Sequence, residues 1–261
     1  MFLFLHKRFS GNIEVNKFSS LFYFYKIELK CHKICYFKIN FFIFIFIGLF
    51  ACSNLQGQVY SDSDILQSFK QRPNVGNCAI ISVIKSAIQT FGIKGVFKSF
   101  EYSTNGIQLI LKNDSKIALS REELNDLSEY DKFVLFNNKE IFNEAKLIYA
   151  VVAKKKYLDN PNKYLSLKDA AEALNGSEKL GAESIIEILG YKYRNVPKDS
   201  LKFYSNIIIG SNMHAAYSFL GNYDEYGKIA SNEDFVRNHS RFWTRNWASR
   251  QLVDGCQILK N

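Results

Sequence analysis

The chain has 261 residues, 47% of them hydrophobic and 23% charged, an ordinary globular balance that excludes collagen-like, disordered and disulfide-scaffold classes. Its formal charge of +9 is unevenly carried. Residues 1–52 hold seven Lys and Arg against two acids, and the other 209 hold 27 against 23. That second excess is too mild for a phosphate-binding surface, so no nucleic-acid partner is expected.

Twelve of the 23 Phe residues lie before residue 51, with no sustained helical or strand period. Residues 41–51 form an uncharged apolar run, too short for a membrane span of about 20 residues. Preceded by Lys30, Lys33 and Lys38, the run fits the apolar region of an export signal. Leu49-Phe50-Ala51-Cys52 then resembles a bacterial lipobox, which implies lipidation of Cys52 and a membrane-anchored lipoprotein of a cell envelope. Plain secretion is the alternative. Residues 1–52 are thus read as a leader, of which 1–29 are surplus and fit a start assigned too far upstream, and 53–65 as a polar tether. Cys31, His32 and Cys35 fall inside the leader and are not read as a metal site. Without the leader only Cys52, Cys78 and Cys256 remain, so no disulfide framework is implied.

Along the remaining chain, residues 61–71 predict a short helix and residues 71–77 a loop, by Pro73, Gly76 and two Asn. Residues 78–91 predict a helix with Ile80, Ile84, Ile88 and Phe91 on one face and Ile81, Val83 and Ala87 widening it. It is expected to stop at Gly92 and to be almost wholly buried. Residues 106–111 and 117–119 read as a hairpin, and Ser120-Arg-Glu-Glu123 as a capping box. A long helix is expected over 139–156, with Lys154-Lys-Lys156 favouring the dipole at its C-terminal end. Short helices follow at 167–174 and 182–189. Residues 201–209 and 214–220 read as strands, 222–227 as a turn and 228–231 as the returning strand. Helices first and strands late predict an α+β fold with a helical half and a sheet half.

Cys78 stands where a polar loop meets a buried helix. Unpaired amides and the dipole favour a thiolate there, and a nearby imidazolium would lower the thiol pKa further. His214 and His239 are the only imidazoles after the leader, and His214 opens an apolar strand that could hold its ring across a cleft. Gly76-Asn77-Cys78 resembles the Gly-Asp-Cys segment of calpain-like proteases within the papain-like superfamily. His214-Ala-Ala-Tyr-Ser218 is similar to their His strand, and Ala171-Glu-Ala-Leu-Asn-Gly-Ser177 to a stretch ending in Leu-Asn-Gly-Ser.

The resemblance implies a papain-like two-lobed fold over residues 66–261, with Cys78 on a central helix, His214 on a β lobe and a peptide cleft between. Cys78 would be the nucleophile and His214 its base, cleaving peptide bonds through a thioester. The third member is expected to be Asn232, after the returning strand, with Asp224 and Asn238 as alternatives. Gln71 is the candidate oxyanion donor, although seven residues upstream where six is usual. No cofactor is expected, the partner being a peptide or protein substrate of a monomer whose membrane contact is the anchor at Cys52. A transglutaminase- or amidase-like acyl transferase and an inactive peptide-binding relative are the other readings. Arg237, Arg241 and Arg245, spaced by four among aromatics, read as the solvent face of a terminal helix.

Overall fold

The computed structural model describes residues 60–178, 180–211, 214–235 and 254–260. The chain divides into two units, Met1–Gln56 and Gly57–Asn261, and every described residue belongs to the second. The leader, Cys52, residues 53–59 of the expected tether, Asn238, His239 and the Arg237–Arg245 series lie outside the described residues.

Packing begins before residue 66, where the sequence placed the domain boundary. Tyr60 is buried and its hydroxyl donates to Glu140 Oε2 at 2.8 Å. Ser61 closes a capping box with Asp64 at the start of helix α1 (Asp62–Leu66), which buries Ile65 and Leu66 completely. The polar residues that read as a tether are therefore the cap and first turn of a helix, held down by the apolar residues on either side.

Helix α2 (Cys78–Phe91) spans the residues its periodicity predicts and ends at Gly92, whose φ of 75° is open to glycine. It buries Ile80, Ile81, Val83, Ile84, Ala87 and Ile88, together with Ser82, Lys85, Ser86 and Thr90. A helix buried on nearly all sides must lie between layers. On one side stand α4 (Lys139–Asp159) and, after the short α5 (Leu167–Glu172), α6 (Ala182–Ile188), and on the other the large sheet. Ser120 caps α3 (Arg121–Leu127) in the expected box with Glu123. Near the end of α4, Lys154 and Lys156 pair with Glu123 and Glu178 and so tie the helix to other segments as well as serving the dipole, whereas Lys155 pairs with Asp159 within α4.

Two small antiparallel sheets flank the helices. One pairs β1 (Phe69–Gln71) with β5 (Phe133–Leu135), and the other is the meander β2 (Ser99–Ser103), β3 (Gly106–Ile110) and β4 (Lys116–Ser120). The large sheet contains β6 (Tyr193–Val196), β7 (Ile207–Gly210), β8 (Ala215–Phe219), β9 (Asn222–Glu225), β10 (Lys228–Ser231) and β11 (Asp254–Ile258). Its order is β10-β9-β8-β7-β11-β6, every neighbouring pair antiparallel. Strand alternation divides its side chains between two cores. Ile208, Tyr217, Cys256 and Ile258 enter the main core around α2, whereas Ile207, Ile209, Ala216 and Tyr223 join Phe235 in a second core. The molecule is thus α+β, as composition and order predicted.

Two strand assignments differ from the sequence reading. Residues 201–209 do not form one strand: a 3-10 turn (Lys198–Phe203) precedes β7, and Asn206 at φ 62° makes the bend. More consequentially, residues 222–227 are not a turn. They supply strand β9 between two tight hairpins, Leu220-Gly221 and Tyr226-Gly227, in which all four residues have positive φ. Neither dipeptide carries the Asn-Gly signature of such turns, so the extra strand left no mark in the sequence.

Candidate active site

Cys78 is the first residue of α2 and is half-buried. Its loop is fixed by backbone contact rather than by a side-chain cap: the Gly76 N–H donates to the Asn175 carbonyl at 2.9 Å. A Cβ on Gly76 would lie 2.8 Å from Gly176 Cα, and one on Gly176 would lie 2.7 Å from Gly76 Cα. Gly176 also has φ +98°, a conformation that side chains disfavour. The Gly-Asn-Cys and Leu-Asn-Gly-Ser blocks, about a hundred residues apart, are therefore in direct backbone contact. The asparagines of both blocks grip one dipeptide. Asn77 Nδ2 donates to the Asp131 carbonyl at 3.0 Å and Asn175 Nδ2 to the Tyr130 carbonyl at 2.7 Å.

The sheet brings His214 to the same place. Residue 214 immediately precedes β8, which packs on α2, and both Cys78 and His214 border a cavity of about 790 Å³. Gly76, Gly176, Glu178, Gly181 and Glu183 form its helical wall. Val196, Pro197, Ile208, Gly210, Gly255 and Cys256 form the wall on the sheet side. The His214 ring lies against two aromatic rings, with Tyr226 centred 5.5 Å away and tilted and Phe235 5.9 Å away and stacked. Burial raises the Tyr226 hydroxyl, and charge on Glu225 and Cys78 adds to that shift; Tyr226, Cys78 and His214 border one small pocket. The sequence reading missed Tyr226 and Phe235, because both depend on β9 being a strand.

The charge state of the sulfur departs from expectation. Burial pushes the Cys78 thiol up from its ordinary value, and the backbone N–H groups of Ala215, Ala79 and Cys78 oppose the shift without overcoming it. The helix N-terminus does favour the thiolate as the sequence argument held, but the loop buries the sulfur more than a polar, exposed loop would.

The described candidates for the third member, Asn232 and Asp224, have their side chains engaged with other partners. Asn232 Oδ1 accepts from Ser218 Oγ at 3.1 Å, and the Asn232 N–H donates to the Gly221 carbonyl at 2.8 Å. Both contacts lie at the far end of β8 from His214, a separation of roughly 13 Å at the usual strand rise. The cause is the additional strand. One return strand carries the chain back toward His214, and a second carries it away again. Asp224 borders the same small pocket as Cys78 and His214, but its carboxylate is taken, with Oδ2 2.5 Å from Lys85 Nζ and Oδ1 accepting from the Gly227 N–H at 2.6 Å. Asn238 lies outside the described residues. Gln71 does come close, sharing a small pocket with Cys78, His214 and Tyr226, but its Nε2 donates to the Val75 carbonyl within its own loop.

Among the described residues no three His, Cys, Asp or Glu side chains are grouped to hold a metal, and no helix is long and apolar enough to cross a membrane. Comparison with protein-family models, curated proteins and solved structures finds no match.

Proposed function

We propose that this chain is a cysteine peptidase with a papain-like, two-lobed catalytic domain closest to the calpain-like kind. The observation that carries the reading is the cavity shared by Cys78, at the mouth of a buried central helix, and His214, at the start of the interior strand β8. The backbone contact between Gly76 and Gly176 supports it, because the two blocks that resemble the family at a distance in sequence form one wall. In this reading an extended peptide lies along the cleft. His214 takes the proton from Cys78, the thiolate attacks the carbonyl carbon, and His214 returns the proton to the leaving amine. Water then hydrolyses the thioester. In this reading the backbone amides that flank the sulfur would supply the oxyanion donors, the Gln71 amide being spent on the Val75 carbonyl. The rings of Tyr226 and Phe235 hold the imidazole plane. The leader reading adds export and anchoring through Cys52.

One observation favours a second reading, a peptide-binding relative that no longer cleaves: the thiol is raised by burial, and Asn232 and Asp224 are both engaged with other partners. The two separate on one experiment. Full-length protein is incubated with a peptide mixture and, in parallel, with iodoacetamide from about pH 6 to about pH 9, followed by mass analysis. Cleavage lost in Cys78→Ala, with Cys78 alkylation slowed in His214→Ala, supports the peptidase. Alkylation that follows an ordinary thiol titration regardless of His214, without cleavage, supports the binding protein.

A further inference from the structure

Resting on the peptidase reading, we infer that Asp224, fixed by Lys85, is a positioning residue for the imidazole: it holds the Tyr226-Gly227 turn so that the Tyr226 ring stays against His214. Strand register pairs Glu225 with Lys228, leaving Tyr226 and Gly227 as a two-residue connection with φ of 52° and 89°. Positive φ at both places is the demand of a type I′ turn, which Asn, Asp and Gly meet readily and tyrosine meets only under strain. Asp224 Oδ1 offsets that strain by accepting from the Gly227 N–H at 2.6 Å, a charge-assisted bond to the backbone of the turn itself. The ring so placed is centred 5.5 Å from that of His214, and Asp224, Tyr226, His214 and Cys78 border one small pocket.

Lys85 supplies the other half of the device. It follows Cys78 by about two turns of α2, so the two residues share one face of the helix. Its ammonium is completely buried, 2.5 Å from Asp224 Oδ2, 2.7 Å from the Leu66 carbonyl and 5.0 Å from the centre of the Phe69 ring. A buried pair of this kind adds little net stability over apolar residues of the same size, because stripping water from both charges cancels most of their attraction. What it supplies is geometry. One carboxylate has one oxygen on the helix that begins at the nucleophile and the other on the hairpin beside the base. An apolar pair would leave the Gly227 N–H without its acceptor and the Tyr226 turn free to relax.

The test compares variants that are all neutral at this place, so that no lone charge is left buried. Lys85→Met with Asp224→Asn keeps a side-chain oxygen for the Gly227 N–H. Lys85→Met with Asp224→Leu, or with Asp224→Ala, removes it, Leu being near in volume and Ala smaller. Each full-length variant is assayed on a peptide that the native chain cleaves, at a temperature where circular dichroism shows it folded. The Asn pair is expected to keep kcat within about twofold of native, and the Leu and Ala pairs to lose about fivefold in kcat with KM moved by less than about twofold. The His214-dependent part of the pH profile of Cys78 alkylation should shift in the Leu and Ala pairs and not in the Asn pair. In a Tyr226→Asn background the same exchanges should bring no further loss, since the ring they place is gone. Equal loss of kcat in the Asn, Leu and Ala pairs, or losses that add to that of Tyr226→Asn, overturns the inference while leaving the peptidase reading in place. Absence of any Cys78-dependent cleavage overturns that reading and the inference with it.

Discussion

Tyr226 occupies a backbone conformation that suits asparagine better than tyrosine, at φ 52°, yet its ring lies 5.5 Å from that of His214. A substitution can separate the two roles. Tyr226→Asn should leave the melting temperature unchanged or raise it, while, under the proposed peptidase function, kcat against a good peptide should fall several-fold because the imidazole loses a neighbouring ring. Equal loss of stability and activity would show instead that the ring only supports the fold. Gly176 offers the converse case. Gly176→Ala adds a Cβ 2.7 Å from Gly76 Cα in a conformation with φ +98°. A loss of about 1–3 kcal/mol is therefore expected in urea unfolding, with displacement of the Cys78 loop. The touch between Gly76 and Gly176 was invisible in their separate sequence blocks, because nothing local to either glycine encodes its distant neighbour. The settings of Cys78 and His214, a helix start and the approach to a strand, were legible from sequence because both are local patterns. Tyr226 and Phe235 were not, because ring stacking is set by the fold.

At the scale of elements, the pairing of Lys85 with Asp224 ties α2 to β9. Lys85 is completely buried, its ammonium 2.5 Å from Asp224 and 2.7 Å from the Leu66 carbonyl, and burial lowers its pKa against the pull of the carboxylate. Removing one partner leaves the other charge buried and alone. Lys85→Met is expected to lose about 3–5 kcal/mol of stability, and the double variant Lys85→Met with Asp224→Asn to recover most of it, as read from urea midpoints. Failure of the double variant to recover would mean that packing of the lysine stem, not charge, dominates. The helices were legible element by element, α2 by its 3.6 period and its stop at Gly92, α3 by the Ser120 capping box and α4 by its apolar face. The sheet was less so. Strands β9 and β10 are four residues each, and the short turns that bound them use Leu220 and Tyr226 at positive φ. That single uncounted strand reversed the chain direction and moved Asn232 to the wrong end of β8.

The whole molecule answers to pH through a group far from the cleft. Burial, with the charge of Glu140 beside it, pushes the Glu144 carboxyl on α4 up to about 7 from an ordinary value of 4.5. Between those values the folded chain holds a proton that the unfolded chain releases. Stability from this group is therefore full below about pH 4.5 and is lost as pH rises through 7, a change on the order of 1–3 kcal/mol. Thermal melts at about pH 5 and about pH 8 should show a larger drop in the native chain than in Glu144→Gln, and equal drops would assign the effect to other groups. From sequence alone came the α+β class, the buried helix beginning at Cys78, the caps of its neighbours and the choice of Cys78 and His214 as the groups to watch. These follow from periodicity and from the chemistry of single residues, which need only near neighbours in the chain. The tertiary structure alone decided that Cys78 and His214 share a cavity, that Gly76 lies on Gly176, that Asn232 lies elsewhere, and that burial raises the thiol. Each of these depends on strand count, backbone approach and exclusion of water, which are set only when distant segments pack together.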